Sequence, residues 1–182
     1  MKHIDLTNVK EAGQSSRLPA GVYACIISNV EDVEDREYLK VSYDIAEGEY
    51  KGHFSALRED HPDWKWVGAY VKSYKTSALS MFKRFCSAVS KSNGNYVFDG
   101  GAVNADERTL IGKKLGLVLR EEEYYRNDGE VGTRLTVYSE VPLDKISTTK
   151  VPEPVKLPSA PEPAKADPFL AIPDGMDEEV PF

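Results

Sequence analysis

The stretch YLKVSYDIA, residues 38–46, alternates strictly, with Leu39, Val41, Tyr43 and Ile45 on one side and Tyr38, Lys40, Ser42 and Asp44 on the other. A period of two is the mark of a half-buried strand, so the first set belongs to a core and the second to water. Upstream, GVYACIISNV, residues 21–30, follows the turn former Pro19 and is rich in β-branched and aromatic residues, which predicts a strand beside it. Downstream, Glu47 and Gly48 read as a turn, and Gly52 to Leu57 as a third strand with less regular alternation. From about Thr76, SALSMFKRFCSAVS sets Leu79, Phe82, Phe85, Cys86 and Val89 at helical spacing, with Ser or Thr as N-cap and SNGN as the stop. KLGLVLR (114–120) and RLTVYSEV (134–141) then form a strand pair around a turn containing Asn127, Asp128, Gly129 and Gly132.

The predicted fold class is therefore mainly β: a five-stranded OB-fold barrel with one helix between strands three and four. In that fold the second and third strands, with the loops joining strands one to two and four to five, form the usual ligand face. No internal repeat at solenoid periods is present.

Composition changes near Ser147. The segment TTKVPEPVKLPSAPEPAKADPFLAIPDG, residues 148–175, brings a proline every few residues, which excludes helix and sheet and predicts a disordered, semi-extended linker. The chain thus divides into three: a body over 1–147, a Pro-rich linker over 148–175, and an acidic peptide, MDEEVPF, over 176–182. The formal charge is −7, and residues 148–182 hold three lysines against seven acids, so the acidity is concentrated at the end. A charge of −7 argues against nucleic acid only if it is spread over the body, where cations must displace counterions.

The chain has 182 residues, with 41% hydrophobic and 10% aromatic content, enough for one domain with a real core. Tyrosine outnumbers phenylalanine ten to six, which suits a surface half apolar and half wet. Cys25 and Cys86 sit in apolar runs and match neither a disulfide framework nor a zinc site, so buried reduced thiols are expected. No apolar run approaches the roughly 20 residues that span a bilayer, and MKHIDLTNVK is not a signal peptide. A cytoplasmic protein without a membrane partner is expected.

Chemistry concentrates in ALREDHPDWKWVGAYVKSYK, residues 56–75. Arg58, Lys65, Lys72 and Lys75 are interleaved there with Trp64, Trp66, Tyr70 and Tyr74, cations for phosphates and flat rings for bases. With each stacked base worth about 1–3 kcal/mol, two or three such rings supply most of a micromolar affinity. Trp66 and Tyr70 serve equally well to pack the helix onto the barrel, whereas Trp64, beside Pro62 and Asp63, belongs to an exposed loop. The last hairpin adds Tyr124, Tyr125, Arg126 and Arg134, either as further contacts or as ordinary hairpin residues in water. With Tyr38 and Lys40 from the wet side of the second strand, these are the candidate nucleic-acid contacts. The loop EDVEDRE, residues 31–37, is acidic and repels a phosphate backbone on its side.

No catalytic constellation is found. His3, His53 and His61 are scattered, no Cys and His cluster has metal spacing, and there is no Gly-rich phosphate loop or nucleophile elbow. Asp32, Glu34 and Asp35 could hold Mg²⁺ in a nuclease, but adjacent acids in a loop are ordinarily solvated. Neither enzyme activity, metal nor cofactor is expected.

The ending MDEEVPF resembles the C-terminal peptide of bacterial and phage single-stranded DNA-binding proteins in its acidic cluster closed by Pro and Phe. The body resembles a family of phage single-stranded DNA-binding proteins in IDLTNVKEAG (4–13), LPAGVYACIISNVE (18–31), EGEYKG (47–52), the mid-chain helix, and ERTLIGKKLGLVL (107–119). The order of these motifs carries the likeness; the aromatic insert around Trp64 and the acidic first loop depart from it. The resemblance implies a sequence-tolerant coat for single strands during phage DNA replication, recombination or repair, in the host cytoplasm. It also implies that Asp177, Glu178, Glu179, Val180, Pro181 and Phe182 dock replication and repair proteins. An apolar pocket flanked by Lys or Arg would take the Phe182 ring and attract the acids. Barrels of this kind act as monomers, dimers or tetramers, so a homo-oligomer is compatible, and ring stacking serves DNA and RNA alike. The competing expectation is an acidic adaptor or inhibitor that mimics a host tail without binding DNA.

Overall fold

A computed structural model of the chain describes residues 18–157. The alternating stretch is β2 (Tyr38–Ile45), in company with β1 (Gly21–Val33), β3 (Ala69–Ser73), β4 (Lys114–Tyr125) and β5 (Val131–Val141). They form one five-stranded antiparallel sheet in the order β3-β2-β1-β4-β5. β1 is the hinge of this arrangement: its first half pairs with β4 and most of its length with β2, with a register shift between Ile27 and Asn29. Such a bulge bends the strand and lets one chain serve two directions of the sheet. Among the described residues β3 and β5 exchange no backbone hydrogen bond, so the sheet is not a closed barrel.

The core face is the one the alternation predicts: Leu39, Val41, Tyr43 and Ile45 join Cys25, Ile27, Leu115, Leu117 and Leu119. α2 (Leu79–Ser92), after β3, covers it with Phe82, Phe85, Cys86 and Val89, while Leu79 is exposed rather than inward. Neither Ser nor Thr caps this helix; the chain enters through a 3-10 turn, Thr76–Ala78, and Ala78 is the N-cap. The stop is as expected and does more than end a helix. Asn93 donates to the carbonyls of Val89 and Lys114, each at 2.7 Å, and accepts from the Lys114 N–H, stapling α2 to the start of β4.

The expected third strand over Gly52–Leu57 is instead a helix, α1 (His53–Asp60). The cause lies in β2. Asp44, expected in water, is buried, and its carboxylate accepts the N–H groups of Phe54 and Ser55 at 2.9 and 3.0 Å and the Ser55 hydroxyl at 2.5 Å. A carboxylate at the free N–H groups of a first turn stabilises helix, and Gly52 at φ 71° supplies the left-handed corner that aims the chain at it. Phe54 and Leu57 then pack on the core. The third strand is Ala69–Ser73, whose approach depends on Gly68: a Cβ there would lie 2.5 Å from the Tyr43 carbonyl oxygen and 2.7 Å from the Phe54 ring.

The body does not end at Ser147. After a 3-10 turn over Leu143–Thr148, Val155 forms a parallel bridge with Glu122. Its N–H donates to the Glu121 carbonyl at 3.0 Å and its carbonyl accepts from Glu123 at 2.9 Å. The exclusion of sheet beyond Thr148 therefore fails at this residue, because Val155 retains an N–H between residues of a proline-spaced segment, and one paired residue is enough to dock an edge. Residues 158–182, with the rest of the linker and the whole acidic peptide, lie outside the described residues, as do residues 1–17.

Candidate nucleic-acid interface

In β4 and β5, side chains opposite one another in register share a face. Leu117 and Leu119 of β4 with Leu135, Val137 and Glu140 of β5 form the inner one. The outer face therefore carries Arg120, Glu122 and Tyr124 opposite Thr136, Arg134 and Gly132, and Tyr138 emerges at the bulge between Val118 and Leu119. Along it the Arg120 guanidinium lies 4.7 Å from the centre of the Tyr138 ring, and that of Arg134 lies 5.3 Å from the centre of Tyr124. Arg126 reaches the same row: its Nε and the Tyr124 ring both occupy the space a Cβ at Gly132 would fill. The result is a stripe of three guanidiniums and two tyrosines. Two of the cations have carboxylate neighbours, Arg134 with Glu122 at 3.4 Å and Arg126 with Glu130 at 3.7 Å, both half-exposed and screened by water. Tyr125, expected in this group, is exposed on the opposite face of the hairpin, at its end beyond the core.

Beyond Tyr138 the stripe runs into a cleft of about 220 Å³ lined by Val71, Met81, Arg84 and Glu140. Here the expected contacts in residues 64–75 turn inward. Lys72 faces the core, and its ammonium meets the Glu140 carboxylate at 2.7 Å, with side chains 10% and 2% exposed. Buried and paired, it cannot serve phosphates. Arg84, half-exposed, stands 3.7 Å from the same carboxylate. Tyr70 packs edge-on against Tyr43, and burial raises its hydroxyl well above the ordinary phenol range. Tyr74 packs edge-on against Phe82 and donates to the Asp32 carboxylate at 2.8 Å; burial, then that hydrogen bond, push its hydroxyl up to about 12. Trp66 packs against the core and donates its indole N–H to the Gly68 carbonyl at 2.9 Å. These four rings and cations are structural.

What stays outside from that segment is the loop. Trp64 is 52% exposed and stacks on His61 with ring centres 4.0 Å apart and planes 11° from parallel. Arg58 donates to the Trp64 carbonyl and fixes the loop's fold, and Lys65 and Lys75 are exposed. Of the β2 pair, Tyr38 is half-buried and Lys40 is exposed but lies 3.7 Å from the Glu31 carboxylate directly across the ladder. That side remains acidic, as the 31–37 loop predicts, although Glu31, Asp32 and Val33 lie in β1 rather than in a loop.

Arg120 and Tyr138 are the contacts that reading by segment passes over, while Tyr124 is among those the last hairpin offers. Their signal is a period of two: Arg120, Glu122, Tyr124 on one strand and Arg134, Thr136, Tyr138 on the next. Ending the fourth strand at Arg120 hides it.

Both cysteines are buried and free; burial raises each thiol, Cys86 to about 11, which leaves neither a nucleophile. Among the described residues no group of three or more His, Cys, Asp or Glu side chains could hold a metal ion. Among them, too, no helix is long and apolar enough to cross a membrane. No family model matches the chain, and no curated protein matches it.

Proposed function

We propose that this protein binds single-stranded DNA without strong sequence preference, on the outer face of the β4–β5 hairpin. The observation that carries the reading is the stripe Tyr138, Arg120, Arg134, Tyr124, Arg126: rings that stack bases next to guanidiniums that meet phosphates, along one strand direction. It lies on a chain that is acidic overall, and the exposed Trp64 and Lys65 of the loop after α1 are further candidate contacts. The fold reading that goes with it is an OB-fold. Five antiparallel strands, a helix between β3 and β4, and outer strands joined by the Lys72–Glu140 pair without a backbone ladder among the described residues fit a partly open barrel of that type. With the family resemblance, the role is to coat single strands during phage replication, recombination or repair. Residues 176–182 recruit the enzymes that work on them. The rest of the linker, from residue 158, sets the reach of that peptide.

A gel shift with labelled oligo(dT) of about 30 to 60 nucleotides tests this, because OB-folds each occupy roughly 4–16 nucleotides. The full chain shifts the oligonucleotide, and deleting residues 177–182 leaves the affinity equal or higher, since the acids compete with DNA for the stripe. Absence of any shift at micromolar protein, with binding to a replication or repair protein retained, transfers the function to an acidic adaptor.

A further inference from the structure

The charges in the cleft at the end of the stripe, between β3, β5 and α2, do not balance. One carboxylate, Glu140, faces two cations, Lys72 and Arg84. The Lys72 ammonium, 2.7 Å from Oε1, already neutralises the carboxylate. Arg84 is therefore surplus: its Nε stands 3.7 Å from Oε2, beyond hydrogen-bond reach, and its side chain is half-exposed.

Polar groups without partners collect in the same place. Of the three buried side-chain nitrogen and oxygen atoms that lack a hydrogen-bond partner among the described residues, two belong to residues lining this cleft, Glu140 Oε2 and the Tyr70 hydroxyl. The two are neighbours: after burial, the Glu140 charge is the strongest influence raising the Tyr70 hydroxyl. Leaving a buried acceptor unpaired is costly, and a ligand that brings it a donor removes the cost. The mouth of the cleft is of the opposite character, with Val71, Met81 and Tyr138 each about half exposed.

Apolar and aromatic walls, an acceptor beside a hydroxyl on the floor, and a spare guanidinium at the rim match the parts of one nucleotide: a flat ring, its polar edge and its phosphate. Cytosine carries an amino donor at the edge of its ring with the acceptor N3 beside it, so the amino group meets Glu140 and N3 meets the Tyr70 hydroxyl. Thymine presents its N3–H between two carbonyl oxygens, which a carboxylate repels.

Resting on the single-strand reading above, we propose that this cleft is a base-selective subsite at the end of the stripe, taking one nucleotide whose exocyclic amino group sits beside a ring acceptor, cytosine in preference to thymine. Arg84 turns from Oε2 to the phosphate while Lys72 keeps the carboxylate neutralised, and the uncovered Oε2 accepts from the amino group. Thymine leaves Arg84 in place and the cleft empty. One selective position among several nucleotides keeps the interface as a whole tolerant of sequence.

Gel shifts of the full chain with oligo(dC) and oligo(dT) of equal length, at neutral pH, test it. Oligo(dC) binds roughly tenfold more tightly, the equivalent of one charge-assisted hydrogen bond. The same oligonucleotide built from N4,N4-dimethylcytosine, which has no amino donor, binds like oligo(dT), and Glu140→Gln abolishes the difference between the parent pair. Where Glu140→Gln fails to fold because Lys72 loses its partner, Arg84→Gln is read instead. It flattens the dependence of log affinity on log salt by about 0.7 with oligo(dC) and by less with oligo(dT). Equal affinity of the parent for oligo(dC) and oligo(dT) overturns the subsite and leaves the stripe standing, whereas binding of neither removes the single-strand reading and the subsite with it. A preference for oligo(dC) that survives dimethylation, or persists in folded Glu140→Gln, also overturns it, because the selectivity then lies outside the cleft.

Discussion

Residues 64–75 and residues 120–138 carry a similar mixture, aromatic rings and cations a few positions apart, yet they end on opposite sides of the sheet's surface. In the first, Trp66, Tyr70, Lys72 and Tyr74 turn toward the core or bond to the protein itself. In the second, Arg134 and Tyr138 are exposed on the outer face and Arg120 and Tyr124 are half-buried there. The difference is parity. Val41 of β2 is a core residue and lies opposite Tyr70, and Leu39 lies opposite Lys72, so their partners must point inward too. Composition marks where rings and cations are plentiful; register settles which of them a ligand can touch.

The sharpest way to break this comparison is at Lys72. Lys72→Met leaves the buried Glu140 carboxylate with only the more distant Arg84, and removing one partner of a buried pair destabilises by about 3–5 kcal/mol. Urea denaturation should show that loss, while the folded variant binds oligo(dT) within twofold of the parent. A large loss of affinity without loss of stability would return Lys72 to the interface.

The converse holds on the hairpin. Tyr138→Ala and Tyr124→Ala remove a stacking ring each and should weaken oligo(dT) binding roughly tenfold, at about 1–3 kcal/mol per ring, with little change in melting temperature. Arg134→Ala should weaken it less and flatten the dependence of log affinity on log salt by about 0.7, one phosphate contact on a single strand.

Tryptophan fluorescence separates the two regions with one chromophore type. Quenching on adding poly(dT) should persist in Trp66→Phe, whose parent ring is held by the Gly68 carbonyl, and vanish in Trp64→Phe. Quenching that depends on Trp66 would place the ligand nearer the core than the stripe.

The smallest effect concerns pH. Burial lowers the pKa of His53 below its ordinary value of 6.5, against a weaker opposing pull from Asp44. The unfolded chain then takes up the proton first, so the stability held by neutral His53 is complete above pH 6.5 and falls as the pH drops through that value toward the folded one. His53→Gln should show a shallower loss of stability over that interval in denaturant titrations at stepped pH, with oligonucleotide binding unaffected.

Much of this molecule was legible in advance, and the failures are specific. The alternation of residues 38–45 identified β2 and its core side, and the spacing of Phe82, Phe85, Cys86 and Val89 identified α2, because each pattern is repeated and local. The alternation assigns Asp44 to water, whereas the N–H groups that bury it come ten residues later in sequence, across a turn that puts Gly52 in the left-handed region. Tyr124, Arg126 and Arg134 of the stripe are legible in the hairpin's composition; Arg120 is hidden where the fourth strand is taken to end, and Tyr138, in mid-strand, has its face set only by pairing register.

By itself, then, the sequence determined that the chain forms a mainly β body with one long amphipathic helix. It also determined that rings and cations gather in two stretches and that acid gathers at the end; these are properties of neighbours along the chain. Only the tertiary structure decided which stretch is core and which is surface. The inward turn of Lys72 depends on Glu140, 68 residues away, and the cation–ring stripe exists because two strands pair in one register and no other. A shift of one residue would exchange the two faces, and nothing local to either strand forbids it.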